Sequence, residues 1–148
     1  MDNQFEKLRL ERQICFPIYA ASRIVTKLYQ PLLDEMGITY PQYLVFLVLW
    51  EREKCTVSEI SNLLLLDSGT LTPLLKRMEI NGWLTRKRSN EDERVVQIQL
   101  TEKGNALKLK AVSVPECLID KIRSKEFELE EVLNLKRTLE RVVKEFGI

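Results

Sequence analysis

Asp67-Ser68-Gly69-Thr70-Leu71-Thr72-Pro73-Leu74-Leu75-Lys76-Arg77-Met78-Glu79 is the stretch on which the fold turns. Asp67, Ser68 and Thr70 are helix-capping residues, and Leu71, Leu74, Leu75 and Met78 recur at helical spacing. Pro73 lacks an amide hydrogen, so the pattern predicts a helix that starts near Thr70, where the first-turn amides are unpaired anyway. Asn81-Gly82 stops it. Upstream, Thr56-Val57-Ser58-Glu59 is a capping box that opens a short helix reaching Leu65. Downstream the period changes from helical to alternating. Trp83 to Lys87 and Val95 to Leu100 are strand-like, with Ile98 and Leu100 alternating with Gln97 and Gln99. Arg88 to Arg94 lies between them as a polar hairpin tip.

Two short capped helices followed by a two-stranded hairpin form the winged helix-turn-helix pattern. The expected fold class is mainly α with a small β-hairpin (α+β), with further helices on both sides of the winged unit. The second short helix is of a size that a major groove admits. Its polar residues are Ser68, Thr70, Thr72, Lys76 and Arg77. The hairpin carries Arg86, Lys87, Arg88 and Arg94. An arginine at a hairpin tip suits a minor groove, where negative potential is concentrated. From Thr70 to Arg94 there are six cations against four anions, a local surplus of +2. A solvated charged face would show the same count, so composition alone leaves both readings open.

Working outward, Ile14, Ile18, Ala21, Val25, Leu28 and Leu32 make an apolar stripe on a first helix. Pro17 sets its start near Cys15 or Phe16, and Gly37 breaks it. Thr39-Tyr40-Pro41-Gln42 caps a second helix that carries Tyr43, Phe46, Leu47 and Trp50. Thr101 caps a fifth helix, kinked or broken near Pro115. A last helix runs from about Glu128 to Phe146, with Val132, Leu135, Leu139, Val142 and Val143 on one face.

The chain has 148 residues, enough for one domain, and a net charge of +1 from 23 basic and 22 acidic residues. DNA binding would therefore rest on local clustering rather than on an overall field. No histidine is present, which removes Ser-His-Asp triads, Cys-His dyads and histidine metal sites. Cys15, Cys55 and Cys117 are far apart and form no CxxC pair, so no metal site and no cofactor are expected. The charged N-terminus lacks a signal core, and no apolar run approaches a membrane span. A soluble, cytoplasmic protein with free thiols and no membrane partner is expected. Cys15 falls at the start of the first helix, where the dipole favours a thiolate; a small buried hydrophobe is the competing reading. Cys55, just before a capping box, reads as structural.

The stretch from Leu66 to Glu79, the tip Arg88 to Val95 and the exit Leu100-Thr101-Glu102-Lys103-Gly104 resemble the recognition helix and wing of the MarR family of bacterial regulators. Gln13-Ile14-Cys15-Phe16, Tyr19 to Arg23, Leu28 to Asp34 and Thr39 to Tyr43 resemble the organic-hydroperoxide-sensing OhrR branch of that family. The resemblance runs from about Gln13 to Gly104 and is looser beyond.

It implies a homodimer paired through residues 1–38 and 105–148, with 39–104 as the DNA-binding unit on an inverted-repeat operator of double-stranded DNA. It implies that Arg94 is the wing-tip arginine and Asp92 the acid that braces it. It implies that Cys15 is a peroxide-oxidised thiol supported by Tyr19, Tyr29 and Tyr40, some of them from the second copy. Two fates of oxidised Cys15 stay open: a disulfide with Cys117 of the partner chain, or a mixed disulfide with a low-molecular-weight thiol. The expected function is a regulator, not an enzyme, that leaves DNA when Cys15 is oxidised. Two alternatives remain. One is a relative gated by a small aromatic ligand, with Phe16, Tyr19, Tyr29, Phe46 and Trp50 as candidate pocket residues and Cys15 inert. The other is a thiol peroxidase-like enzyme using Cys15.

Overall fold

The computed structural model describes residues 4–123 and 127–147. Two 3-10 turns, Gln4–Leu8 and Leu10–Arg12, lead into α1 (Cys15–Asp34) and α2 (Tyr40–Glu51). Then come β1 (Cys55–Thr56), α3 (Val57–Leu64), α4 (Ser68–Ile80), β2 (Leu84–Arg88) and β3 (Val96–Leu100). Three helices close the chain: α5 (Glu102–Ala111), α6 (Val114–Arg123) and α7 (Leu129–Phe146).

Local chemistry sets each junction. Gly37, at φ +67°, ends α1 by letting the Ile38 amide turn back to the Leu33 carbonyl at 3.2 Å. The Thr39 amide donates to Gln42 Oε1 at 2.9 Å, and Pro41 fills the first turn of α2. At α3 the box is reciprocal: Thr56 N–H to Glu59 Oε2 at 2.7 Å, and Glu59 N–H to Thr56 Oγ1 at 3.2 Å. Thr101 caps α5 by accepting from the Gly104 amide at 3.2 Å. Two α5 lysines tie off neighbouring helix ends, where a cation is favoured. Lys108 Nζ donates to the Trp50 carbonyl at 3.1 Å, and Lys103 Nζ to the Asn81 carbonyl at 2.8 Å.

Two expectations are corrected. Helix α4 starts at Ser68, not near Thr70, so Pro73 lies in its second turn. Asp67 takes the cap and its carboxylate accepts from the Thr70 amide at 2.9 Å. The carbonyl that Pro73 cannot serve belongs to exposed Gly69, where water can replace the lost bond. The sheet also has three strands, not two, in the order β1-β3-β2 and all antiparallel, with Cys55 opposite Ile98 and Arg86 opposite Ile98 on its other side. The expected break near Pro115 falls at residues 112–113.

The fully buried side chains are concentrated in the winged unit. Val45, Phe46, Ile60, Leu71, Leu75, Met78, Leu84 and Ile98 are almost wholly covered. Helix α1 adds only Leu33 at that level, and α7 adds none. The outer helices instead leave apolar side chains in the open, with Ile24 59% and Leu135 57% exposed. One chain therefore supplies a core for its reading head but no cover for its helical ends.

Candidate nucleic-acid interface and thiol site

Packing of Leu71, Leu74, Leu75 and Met78 against the core turns the opposite face of α4 outward. Ser68, Thr70, Lys76 and Arg77 are exposed and Thr72 is half-buried at the flank. Ser68, Thr72 and Lys76 succeed one another at four-residue spacing along one flank of the outward side, and Thr70 and Arg77, seven apart, lie along its other flank. The Thr70 hydroxyl donates to Asp67 Oδ2 at 3.1 Å, so it also serves the cap. The Thr70 amide and hydroxyl bonds hold the Asp67 carboxyl below the usual carboxylate range.

The hairpin tip is closed by its own bonds. The Ser89 amide donates to the Val95 carbonyl at 2.8 Å, and the Val95 amide to the Asp92 carbonyl at 3.0 Å. Asp92 Oδ1 accepts the Arg94 amide at 2.9 Å, a bond to the main chain and not to the guanidinium. Among the described residues no ion pair holds the Arg94 guanidinium. Lys87, Arg88 and Arg94 are exposed.

Arg86 is placed differently from the other cations. Its side chain is half-buried, its Nη1 lies 3.9 Å from Glu79 Oε2, and its amide donates to Glu79 Oε1 at 3.1 Å. Arg86 thus fastens β2 to α4 rather than standing free at the surface. Glu79 in this role was not picked out by the sequence reading, which had no signal linking a helix carboxylate to a strand seven residues on.

The thiols occupy three environments. Cys15 is exposed as the first residue of α1, Cys117 is half-buried on α6, and Cys55 is buried in β1. Burial pushes the Cys55 thiol up, and the Glu59 carboxylate adds to that, which fits a structural thiol. Tyr19 lies one turn after Cys15, with Phe16 at 6.4 Å and the Arg23 guanidinium 5.7 Å from its ring centroid.

Tyr29 and Tyr40 are not beside Cys15 in the same chain. Tyr29 follows it by 14 residues on a continuous helix, a separation of about 21 Å along the axis. The structure instead gathers Tyr29, Tyr40 and Tyr43. Their ring centroids lie 4.9 Å apart for Tyr29–Tyr40, 5.8 Å for Tyr29–Tyr43 and 6.4 Å for Tyr40–Tyr43. Burial, then the neighbouring Tyr40 and Tyr43, push Tyr29 up to about 12. Burial raises Tyr40 and Tyr43 too, so these phenols remain protonated donors at neutral pH. Tyr43 joins this cluster without having been singled out from the sequence; its three-residue spacing from Tyr40 was the available signal.

The aromatic pocket residues do not converge. Tyr29, Phe46 and Trp50 pack in or against the core, while Phe16 and Tyr19 are exposed. The open apolar groove is a different one, about 690 Å³ between α1, α6 and α7, lined by Ala21, Ile24, Val25, Leu28, Ile122 and Val132 among others. Among the described residues no cluster of side chains could hold a metal ion, and no helix is long and apolar enough to cross a membrane.

Residues 27–111 match the family of the transcriptional regulators SarA/Rot. The chain is 52% identical over 139 residues to the organic hydroperoxide resistance transcriptional regulator of Bacillus subtilis, covering 94% of this chain and 95% of that protein. Reduced AbfR bound to DNA, a regulator known from Staphylococcus epidermidis, shares 38% identity, covers 95% of this chain and 96% of its own, and superposes with a TM-score of 0.73. AbfR has also been solved in a disulfide form, where the TM-score is 0.61 at 37% identity over 93% of this chain and 95% of its own. A mutant MarR from Escherichia coli complexed with operator DNA is 26% identical, covers 97% of this chain and 99% of its own, and gives a TM-score of 0.80. With a reading head of this geometry and relatives of this extent, the chain belongs to the MarR-type winged-helix transcriptional regulators, in the branch of the organic hydroperoxide resistance regulators.

Proposed function

We propose that this chain acts in the cytoplasm as a homodimeric repressor that grips an inverted-repeat operator and lets go when an organic hydroperoxide oxidises Cys15. The observation that carries this reading is the position of Cys15. It is an exposed thiol at the N-terminus of α1, about 21 Å along that helix from Tyr29, on a surface whose apolar side chains have no cover within one chain. A second copy supplies both the cover and the tyrosines. Residues 1–38 and 105–148 pair the two copies, and 39–104 read DNA.

In this reading Ser68, Thr70, Thr72, Lys76 and Arg77 face a major groove, and Lys87, Arg88 and Arg94 reach phosphates and a minor groove, with Asp92 shaping the tip. Arg86 contributes by holding the wing to α4. The helix N-terminus favours the thiolate of Cys15, and the hydroxyls of Tyr19 and of Tyr29 and Tyr40 from the second copy donate to it. The thiolate attacks the outer oxygen of the hydroperoxide. The O–O bond breaks, sulfur gives up two electrons and becomes a sulfenic acid, and the leaving alkoxide takes a proton to become the alcohol. A second thiol then displaces water from the sulfenic acid to form a disulfide. Half-buried Cys117 of the second copy and a low-molecular-weight thiol are the two candidates.

The test is DNA binding by reduced and hydroperoxide-treated protein, with mass spectrometry of each cysteine. Release that tracks oxidation of Cys15 is expected. Release with Cys15 unmodified overturns the reading, and repeated turnover of peroxide with a thiol reductant makes the protein an enzyme instead.

A further inference from the structure

The sensor tyrosines do not end the aromatic contacts; they begin them. Tyr43 touches both Tyr29 and Tyr40 and lies 6.4 Å from Trp50, edge to face at 69°. Trp50 stacks on Phe46 at 5.1 Å and 20°, and Phe46 meets Trp83 edge-on at 5.7 Å and 64°. The column thus runs from α1, along α2, to the residue that precedes β2. Its middle is sealed, with Tyr43 3% exposed and Phe46 fully buried.

The far end is anchored on both sides of one residue. Trp50 Nε1–H donates to the Gly104 carbonyl at 3.2 Å. The Trp83 carbonyl accepts the Thr101 amide at 3.0 Å and lies so near Gly104 that a Cβ there would be 2.1 Å from it. The C-terminal turn of α2, the base of the wing and the first turn of α5 therefore meet at Gly104, tight against the Trp83 carbonyl, while an open cleft of about 440 Å³ borders Trp50, Leu100 and Asn105. Close-packed side chains of this kind pass a displacement on instead of absorbing it. Helix α1 packs on α2 and α6, and α2 packs in turn on α3, α4, α5 and β3, so α2 stands between the tyrosines and the reading head.

We infer that Tyr43 and Trp50 are positioning residues that transmit the state of the sensing thiol from Tyr29 and Tyr40 to the base of the wing. The inference rests on the redox reading above. Oxidation replaces the thiolate acceptor with a bulkier, uncharged group, Tyr29 and Tyr40 shift, and Tyr43 carries the shift through Trp50 to Gly104 and Trp83.

The experiment uses the full chain and a fluorescent duplex selected from a random pool by the reduced protein. Wild type, Tyr43→Phe, Tyr43→Leu and Trp50→Phe are titrated onto it before and after cumene hydroperoxide, at equal Cys15 oxidation verified by mass. Circular dichroism melts confirm folding. Wild type and Tyr43→Phe, which keeps the ring, should lose affinity by about tenfold or more on oxidation. Tyr43→Leu and Trp50→Phe should bind in the reduced form within about threefold of wild type yet lose no more than about threefold on oxidation. Trp50→Phe removes only the indole N–H and part of the ring, so it keeps the test open should Tyr43→Leu fail to fold. Full wild-type release in either folded variant overturns the relay while the redox reading stands. A wild type that stays on DNA with Cys15 oxidised removes the redox reading, and the relay with it.

Discussion

Gly104→Ala separates two opposed forces at one position. Gly104 is the third residue of α5, and by helix propensity alone alanine there is better by about 1 kcal/mol. Packing opposes it. The new methyl carbon would lie 2.1 Å from the Trp83 carbonyl oxygen and 3.0 Å from Leu100 Cδ2. Relief requires the wing base to retreat by about 1 Å, an overpacking penalty of about 1–3 kcal/mol. The same movement stretches the 3.0 Å bond from Thr101 N–H to the Trp83 carbonyl, worth about 1 kcal/mol. The net expectation is a loss of about 1–3 kcal/mol, or a Tm lower by roughly 2–10 °C. Urea unfolding followed by circular dichroism at fixed protomer concentration measures it, since dimer stability depends on concentration. A Gly104→Ala protein as stable as wild type, or more so, would show that propensity wins and that the junction of wing and α5 is not close-packed.

Cys15→Ser should bind operator DNA like wild type and stay bound after organic hydroperoxide; release of this variant in a mobility-shift assay would remove Cys15 from the mechanism. If Cys117 resolves the sulfenic acid across the dimer, a non-reducing gel after peroxide shows a covalent dimer that Cys117→Ser lacks. Arg94→Ala should weaken DNA binding and reduce the slope of log K against log salt by about 2 per dimer, one phosphate contact per protomer. Arg86→Ala should leave that slope unchanged, because its guanidinium lies against Glu79; a drop as large as that of Arg94→Ala would place Arg86 on the DNA. The Glu59 and Asp67 carboxyls are held below their ordinary values by bonds to Thr56 and Thr70. Their folded pKa values lie below the unfolded ones, so their stabilisation is complete above about pH 5 and is lost as pH falls through the folded values. Glu59→Gln with Asp67→Asn should flatten the acid limb of a stability–pH curve; an unchanged limb would count against these caps.

Much of the reading head was legible in the sequence because its signals are local. Thr39, Thr56 and Thr101 announce helix starts through bonds to residues only three positions away. The alternation of Val96 to Leu100 places Ile98 inward. Strand β1 was not legible, since two residues cannot display alternation and its register with Ile98 and Gln97 joins positions some forty apart. The start of α4 was misplaced because Pro73 was weighed more heavily than the cap at Asp67. Arg86 looked like its neighbours Lys87 and Arg88, and only the approach of Glu79 from another element distinguishes them.

From residue order alone came the helices and their caps, the hairpin, the basic face of the recognition helix and a thiol at a helix start. Each follows from chemistry within a few positions of the chain. The tertiary structure decided what those pieces touch: Tyr29, Tyr40 and Tyr43 as one cluster, Arg86 turned toward Glu79, and Cys15 far along α1 from that cluster. Those outcomes depend on how helices pack and on which surfaces a single core leaves uncovered, and neither is a property of neighbouring residues.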